Sequence, residues 1–383
     1  MIQYGQQDIS TADIKAVTDI LTSPNLTQGN AGHIFESNLA KACQAKYALA
    51  FCNATATLHS ACLALDVGKD DIVWTSPISF VASANCALYC QATIDFVDVE
   101  LQTGNMCVEA LREKLKSAKK NNKLPKVVIV VHLAGQSCDM AEIFKLSQNY
   151  GFRIIEDASH GIGGSYRKAL IGSCQYSDIT VFSFHPVKII TTGEGGAALT
   201  QSKVLAEKLA LYRSHGITRD QKLMSKESEG PWYYQQIALG YNYRMTDIQA
   251  ALGSSQLNRL ELFVEKRNVL AKFYDDAFQN SIFTPLKQLK QNHSAYHLYI
   301  VQNKQWSTEK KLEIFNEMRA QGIQVHIHYI PIHLQPFYQN MGFKQGDFPV
   351  AEAYYQQSMT LPLHPNLTFE QQSYIIDKLL NQH

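Results

Sequence analysis

The chain has 383 residues, 45% hydrophobic and 18% charged, the balance of an ordinary folded protein with room for two domains and not that of a disordered one. Its 35 basic and 34 acidic residues leave a net charge of +1, which gives no electrostatic footprint for nucleic acid. No run approaches the roughly 18 to 20 apolar residues of a membrane span, and the opening MIQYGQQDIS lacks the basic and apolar regions of a secretion signal.

In chain order, the first expected element is a helix over 11–22, capped by Ser10 or Thr11. Strand-like runs then alternate with helical ones. Strands are predicted at 47–52, 71–76, 93–99, 126–134, 152–157, 178–184 and 195–200, with helices at 54–65, 79–90 and 140–151. The basic run KSAKKNNK (116–123) reads as a solvated helix end and loop. Near-continuous apolar strands separated by helices predict an α/β fold with a mostly parallel central sheet, covered on both faces. The polar-then-aromatic stretch 218–236 reads as a long functional loop. Beyond residue 250 the pattern changes to a long helix over 248–278, a strand at 296–302, a helix near 307–321, a strand at 323–330 and a last helix near 368–381. Residues 1–250 are therefore read as a large α/β domain and 251–383 as a smaller α+β C-terminal domain, with residues 1–30 packing beside the latter. The eight cysteines all fall in the first half, form no CxxC pair and mostly sit in apolar runs. Buried reduced thiols and a cytoplasmic setting follow as expectations.

Ligands of such sheets bind beyond the carboxyl ends of the strands, which directs attention to the residues just past each strand. Asn53 to Thr57 open a helix with small and hydroxyl residues, either a plain N-cap or a phosphate seat. No G-x-G-x-x-G or G-x-x-x-x-G-K-[ST] run is present, against a dinucleotide or Walker-type site. Asp157 ends a buried strand, where a carboxylate needs a cation, a cap or a ring nitrogen to serve. Lys188 sits among Phe184, Pro186, Val187, Ile189 and Ile190, either snorkelling or held as a nucleophile of lowered pKa. Together these three features meet the needs of pyridoxal phosphate: a Schiff-base lysine, an acid for the ring nitrogen and an anion seat. Phe80 is placed to cover the ring. His326 and His328, at i and i+2, are read as lining a polar cleft; no metal is expected.

The motifs FESNLAKACQAKYALAFCNATATLHSA, SFVASANCALY, IIEDASHGIGGSY, SFHPVKIITTGEGG, LYRSHGI, GYNYRMTDIQAALGSSQL and HYIPIHLQPFY carry a resemblance. In their order they resemble the DegT/DnrJ/EryC1/StrS family of sugar-nucleotide aminotransferases, from LTQG (26–29) to LPLHPNLT (361–368). The resemblance implies a fold-type I enzyme with pyridoxal 5′-phosphate covalently on Lys188 and Asp157 against the pyridine nitrogen. It puts His160 near the phenolic oxygen, Ser183 with Ala54 and Thr55 at the phosphate, and Phe80 over the ring. It implies a homodimer with shared active sites, in which Asn242 reaches the phosphate from the neighbouring subunit with Arg244 nearby. Tyr4, the segment Pro24, Asn25, Leu26 and Thr27, and the segment His326, Ile327, His328 and Tyr329 match substrate-contacting positions. Ala54 departs from the glycine many members carry there.

RSHGITRD, GPWYYQQIALGYNYRM and FPVAEAYYQQSMTLPLHP look most like the pseudaminic-acid branch. That branch passes an amino group, from L-glutamate by analogy, to C4 of a UDP-linked 4-keto-6-deoxy-N-acetylhexosamine, giving UDP-4-amino-4,6-dideoxy-N-acetyl-altrosamine. Amination at C3 or with other C4 stereochemistry is the alternative reading. A sugar dehydratase on the same scaffold is a more distant one, since that branch carries histidine where Lys188 stands.

Overall fold

The structure, a computed structural model, describes residues 1–381; the last two positions of the expected 251–383 segment lie outside the described residues. A seven-stranded sheet forms its centre, in the spatial order Tyr47–Phe51, Gly196–Thr200, Ile179–Ser183, Arg153–Asp157, Val127–Val131, Ile72–Thr75 and Thr93–Phe96. Only Gly196–Thr200 runs against its neighbours, so the sheet is mostly parallel. Alternation within the strands sorts two cores, one on each face. Val127, Ile129 and Ile155 pack with Leu58, Cys62, Ala84, Cys86, Leu205 and Leu209 from the helices Ala54–Ala64, Ala82–Tyr89 and Lys203–Arg213. Val128, Val130 and Ile154 turn the other way, toward Leu111, Leu115, Ile143 and Leu146 of the helices Val108–Lys120 and Met140–Tyr150.

The strand register brings the site together. Asp157 stands beside Val131 and Val181, and Ser183 beside Gly196, which is itself paired with Phe51. Four chain segments thus end along one edge. A smaller antiparallel sheet, Thr284–Pro285, Tyr299–Gln302 and Ser358–Leu361, packs with the helices Leu260–Phe278, Thr308–Ala320 and Phe369–Leu380 around Tyr274, Phe278, Val301, Met318 and Leu379. The N-terminal segment is divided between the two regions. Ile2 bridges Ile323 and the Tyr4 carbonyl accepts from Leu363 N–H, whereas the helix Thr11–Leu21 packs on Asp247–Leu257. Ser10 caps that first helix in a capping box with Asp13.

Two expected elements differ. The helix over 248–278 is broken into Asp247–Leu257 and Leu260–Phe278, because Arg259 leaves helical geometry and turns its guanidinium to Asp8 and Asp13. The expected strand 323–330 forms only single bridges, Ile2 to Ile323 and His326 to Thr360. Five helices that the strand-and-helix alternation did not mark are also present among the described residues: Asn30–Cys43, Val108–Lys120, Lys203–Arg213, Pro336–Gln339 and Pro349–Gln357. Val108–Lys120 ends in Lys119 and Lys120, inside the basic run read as a helix end.

Candidate active site

A cavity of about 790 Å³ opens at the carboxyl ends of the central strands. Its floor holds Asp157, Ser183 and Lys188; one wall is the start of the helix Ala54–Ala64, and the other is Tyr4 with His326, His328 and Tyr329. The helix start is built by Asn53, whose side chain accepts from Ala56 N–H at 2.8 Å. That leaves the N–H groups of Ala54 and Thr55 without an intrahelical partner, at the positive end of the helix dipole. Gly196 makes the close approach to this turn possible: a Cβ there would lie 2.6 Å from Thr57 Oγ1 and 2.7 Å from Ala54 N. The arrangement is a ready seat for an anion.

Asp157 is almost fully buried and accepts three hydrogen bonds, all from serines. Ser83 Oγ donates to Oδ2 at 2.6 Å, while Ser159 donates to Oδ1 through its hydroxyl at 2.6 Å and its N–H at 3.2 Å. Lys188 makes no ion pair within 4 Å among the described residues, and it lines the cavity. Burial pushes its ammonium down to about 8, against a smaller upward pull from Asp157. A lysine in that range is partly a free amine near neutral pH, the state a nucleophile or base requires. The snorkelling alternative fits poorly with this lowered value.

His160 is buried, and desolvation, then the Lys188 charge, hold it well below the usual histidine range. Its Nδ1 accepts the Ala134 N–H at 3.3 Å, so the neutral ring keeps its proton on Nε2, which lies 3.3 Å from Tyr329 Oη. Ala134 adopts φ +59° in the turn that delivers this N–H, a left-handed conformation uncommon outside glycine. His297 lies against His160 with ring centroids 4.4 Å apart. On the far wall the Tyr4 ring meets His326 at 5.2 Å and His328 at 5.5 Å, and His328 Nδ1 is held by Thr360 Oγ1 at 2.9 Å.

Of the residues expected from the sequence, Tyr4, Ala54, Thr55, Phe80, Asp157, His160, Ser183, Lys188, His326, His328 and Tyr329 all line this cavity. Ile327 packs against the core around the smaller antiparallel sheet instead. Pro24, Asn25, Leu26, Thr27, Asn242 and Arg244 lie outside the cavity lining. The first five of these are exposed, and Arg244 is half-buried with its Nε unpaired. Asp247 N–H donates to the Leu26 carbonyl at 3.0 Å, which sets the Pro24–Thr27 segment beside the start of the helix Asp247–Leu257. Sequence reasoning missed Ser79, Ser83, Ser159, Tyr89, Glu194 and Tyr243. Ser159, two positions after Asp157, carries the local signal of a hydroxyl turn. Ser83 lies 74 positions from Asp157, with no local signal at all. Among the described residues no cluster of three or more histidines, cysteines or carboxylates is arranged to hold a metal ion.

Comparison with known proteins places this geometry. Residues 7–380 match the DegT/DnrJ/EryC1/StrS aminotransferase family. The chain is 35% identical over 385 residues to the UDP-4-amino-4,6-dideoxy-N-acetyl-beta-L-altrosamine transaminase of Campylobacter jejuni, covering 100% of this chain and 97% of that protein. Among solved structures it is similar to Helicobacter pylori PseC, described as an aminotransferase involved in the biosynthesis of pseudoaminic acid. The TM-score is 0.90 and the identity 32%, over 100% of this chain and 98% of that one. The PLP-form of the putative sugar aminotransferase Spr1654 from Streptococcus pneumoniae aligns with a TM-score of 0.90 and 29% identity, over 100% and 98% of the two chains.

Proposed function

The chain belongs to the DegT/DnrJ/EryC1/StrS aminotransferase family, and from that premise we propose a pyridoxal-phosphate-dependent transfer of an amino group from L-glutamate to C4 of a UDP-linked 4-keto-6-deoxy-N-acetylhexosamine. The product is UDP-4-amino-4,6-dideoxy-N-acetyl-altrosamine, on the route to pseudaminic acid. The observation that carries the reading is the half-buried Lys188, without an ion-pair partner among the described residues, in one cavity with the serine-bonded carboxylate of Asp157 and the free N-terminal turn at Ala54 and Thr55. The full-length likeness to the Campylobacter transaminase supports the choice of sugar.

The residues present fit the cofactor: an anion seat closed by Gly196, a buried carboxyl group held by serine donors and a lysine of lowered pKa. Ala54 N–H, Thr55 N–H and Ser183 would hold the phosphate, Asp157 the ring nitrogen, His160 Nε2–H the phenolic oxygen, and Phe80 the ring face. Lys188 would carry the covalent link. When bound, the cofactor supplies a carbonyl to take up the amine and a ring that accepts electrons. Lys188 Nζ moves the proton: with its pKa near 8 it is poised to accept one from the donor's Cα and return one to the sugar's C4. Tyr4, His326, His328 and Tyr329 orient the sugar and exclude water on the far wall.

Asn242, Arg244 and the Pro24–Thr27 segment complete the site of a second copy of the chain, so the working unit is a homodimer. The exposure of Asn242 and of Pro24 to Thr27 supports this reading. All eight cysteines are free thiols and no helix is long and apolar enough to cross a membrane among the described residues, which supports a cytoplasmic setting. Incubation with L-glutamate and a panel of UDP-, GDP- and dTDP-keto sugars, followed by NMR of the product, tests the assignment. Exclusive turnover of a GDP- or dTDP-sugar, or amination at C3, would replace it.

A further inference from the structure

The carboxylate of Asp157 receives three donors, and one of them begins a line of hydroxyls. Ser83 Oγ lies 2.6 Å from Asp157 Oδ2, and Ser79 Oγ lies 2.7 Å from Ser83 Oγ. An ionised carboxylate only accepts, so the single hydroxyl hydrogen of Ser83 is committed to Asp157. The hydrogen between the two serines therefore comes from Ser79. Ser83 is fully buried behind the cavity that Ser79 and Asp157 line, so its hydroxyl has only these two partners. Ser83 N–H also donates to the Phe80 carbonyl at 3.2 Å, a local bond within the turn that opens the helix Ala82–Tyr89. Ser83 thus stands between the residue assigned to the ring nitrogen and the one assigned to the ring face.

We infer that Ser83, backed by Ser79, is a positioning residue that holds Asp157 as an oriented anion for the cofactor's protonated ring nitrogen. The inference rests on the cofactor assigned under the proposed function. Each hydroxyl in the line passes its hydrogen toward Oδ2, which fixes that oxygen as an acceptor in one orientation. Ser159 secures the other oxygen, Oδ1, from the same strand end. A merely structural serine would satisfy a buried polar contact between the helix and the strand, and would be indifferent to the chemistry of the ring.

The test exploits that difference. Apoprotein is titrated with pyridoxal phosphate and with its 1-deaza analogue, in which the ring nitrogen is a C–H, by following intrinsic fluorescence. Ser83→Ala is expected to weaken the natural cofactor about tenfold, the size of one charge-assisted hydrogen bond, and the analogue by less than about threefold. Ser83→Thr, which keeps the hydroxyl, should restore the difference. The holoprotein of Ser83→Ala should also show a shifted pH dependence of its visible absorbance. Equal losses for the two ligands, or no loss for either, would overturn the inference. Wild-type protein that binds neither ligand would overturn the cofactor assignment itself, and this inference with it. If Ser83→Ala does not fold, Ser79→Ala decides. It should weaken the natural cofactor about threefold and leave the analogue unaffected; equal effects on both would overturn the inference.

Discussion

Glu156 and Asp157 are consecutive carboxylates on one strand, each about 5% exposed, yet the alternation of a β-strand sends them to opposite faces of the sheet. Asp157 faces the cavity and is bonded only by serines, which leaves its charge uncompensated by any cation within 4 Å among the described residues. Glu156 faces the core under the helices Val108–Lys120 and Met140–Tyr150, where His132 Nε2 meets it at 2.7 Å and Ser177 and Thr180 donate to its other oxygen. One carboxylate is closed off by its own protein and the other is left open to a ligand. A buried charge with every neighbour supplied is a structural element; one with a cavity in place of a cation marks a site.

Substitution separates the two most widely at the level of rate. Asp157→Asn is expected to lower kcat/KM by roughly 10³-fold, as is Lys188→Ala, with little change in the urea midpoint of the apoprotein. A loss below tenfold for either would remove the contrast. Glu156→Gln should do the reverse. Breaking its pair with His132 is expected to cost about 3 kcal/mol in urea unfolding, while kcat of the folded enzyme stays within about threefold. A large loss of kcat without loss of stability would show that the second carboxylate also serves the reaction.

The pH responses should differ in sign and range. Burial pushes the Glu156 carboxyl upward, but the bonds from His132, Ser177 and Thr180 outweigh it and hold the group below its usual 4.5. Its folded value therefore lies under its unfolded one. The stability it contributes is present above about pH 4.5 and is lost as pH falls through the folded value. Melting temperature followed from pH 3 to 7 should fall at the acid end, and Glu156→Gln should flatten that fall. On the cavity side, deprotonation of Lys188 near pH 8 should raise the rate of the glutamate half-reaction between pH 7 and 9. A rate that falls over that interval would assign the base elsewhere. The smallest effect is expected for Ser183→Ala, a few-fold weaker binding of pyridoxal phosphate from the loss of one hydroxyl.

Much of this was legible in the sequence, for physical reasons. Unbroken apolar runs such as VVIVV announce strands buried on both faces, and the strand-end rule then isolates Asp157 and Lys188 without any coordinates. The N-terminal turn at Ala54 and Thr55 was visible as well, but only its place beside Gly196 raises it above an ordinary cap. What the sequence hides is contact over distance. Ser83 reaches Asp157 across 74 positions, Tyr243 and His59 meet across 184, and no local pattern encodes either. The break at Asn258 and Arg259 was equally hidden, because its cause is a pair of carboxylates at positions 8 and 13. Asn242 and Arg244 lie outside the lining of their own cavity, and only the proposed second copy of the chain gives them work there.

The central claim is that Lys188 carries the cofactor within reach of Asp157. Borohydride treatment of the yellow protein, followed by proteolysis and mass mapping, tests it most directly. The account predicts a phosphopyridoxyl group on the peptide containing Lys188 and on no other lysine, lost when the protein is first incubated with L-glutamate. A modified lysine elsewhere, or an unmodified Lys188 in a protein that still transfers the amine, would contradict it.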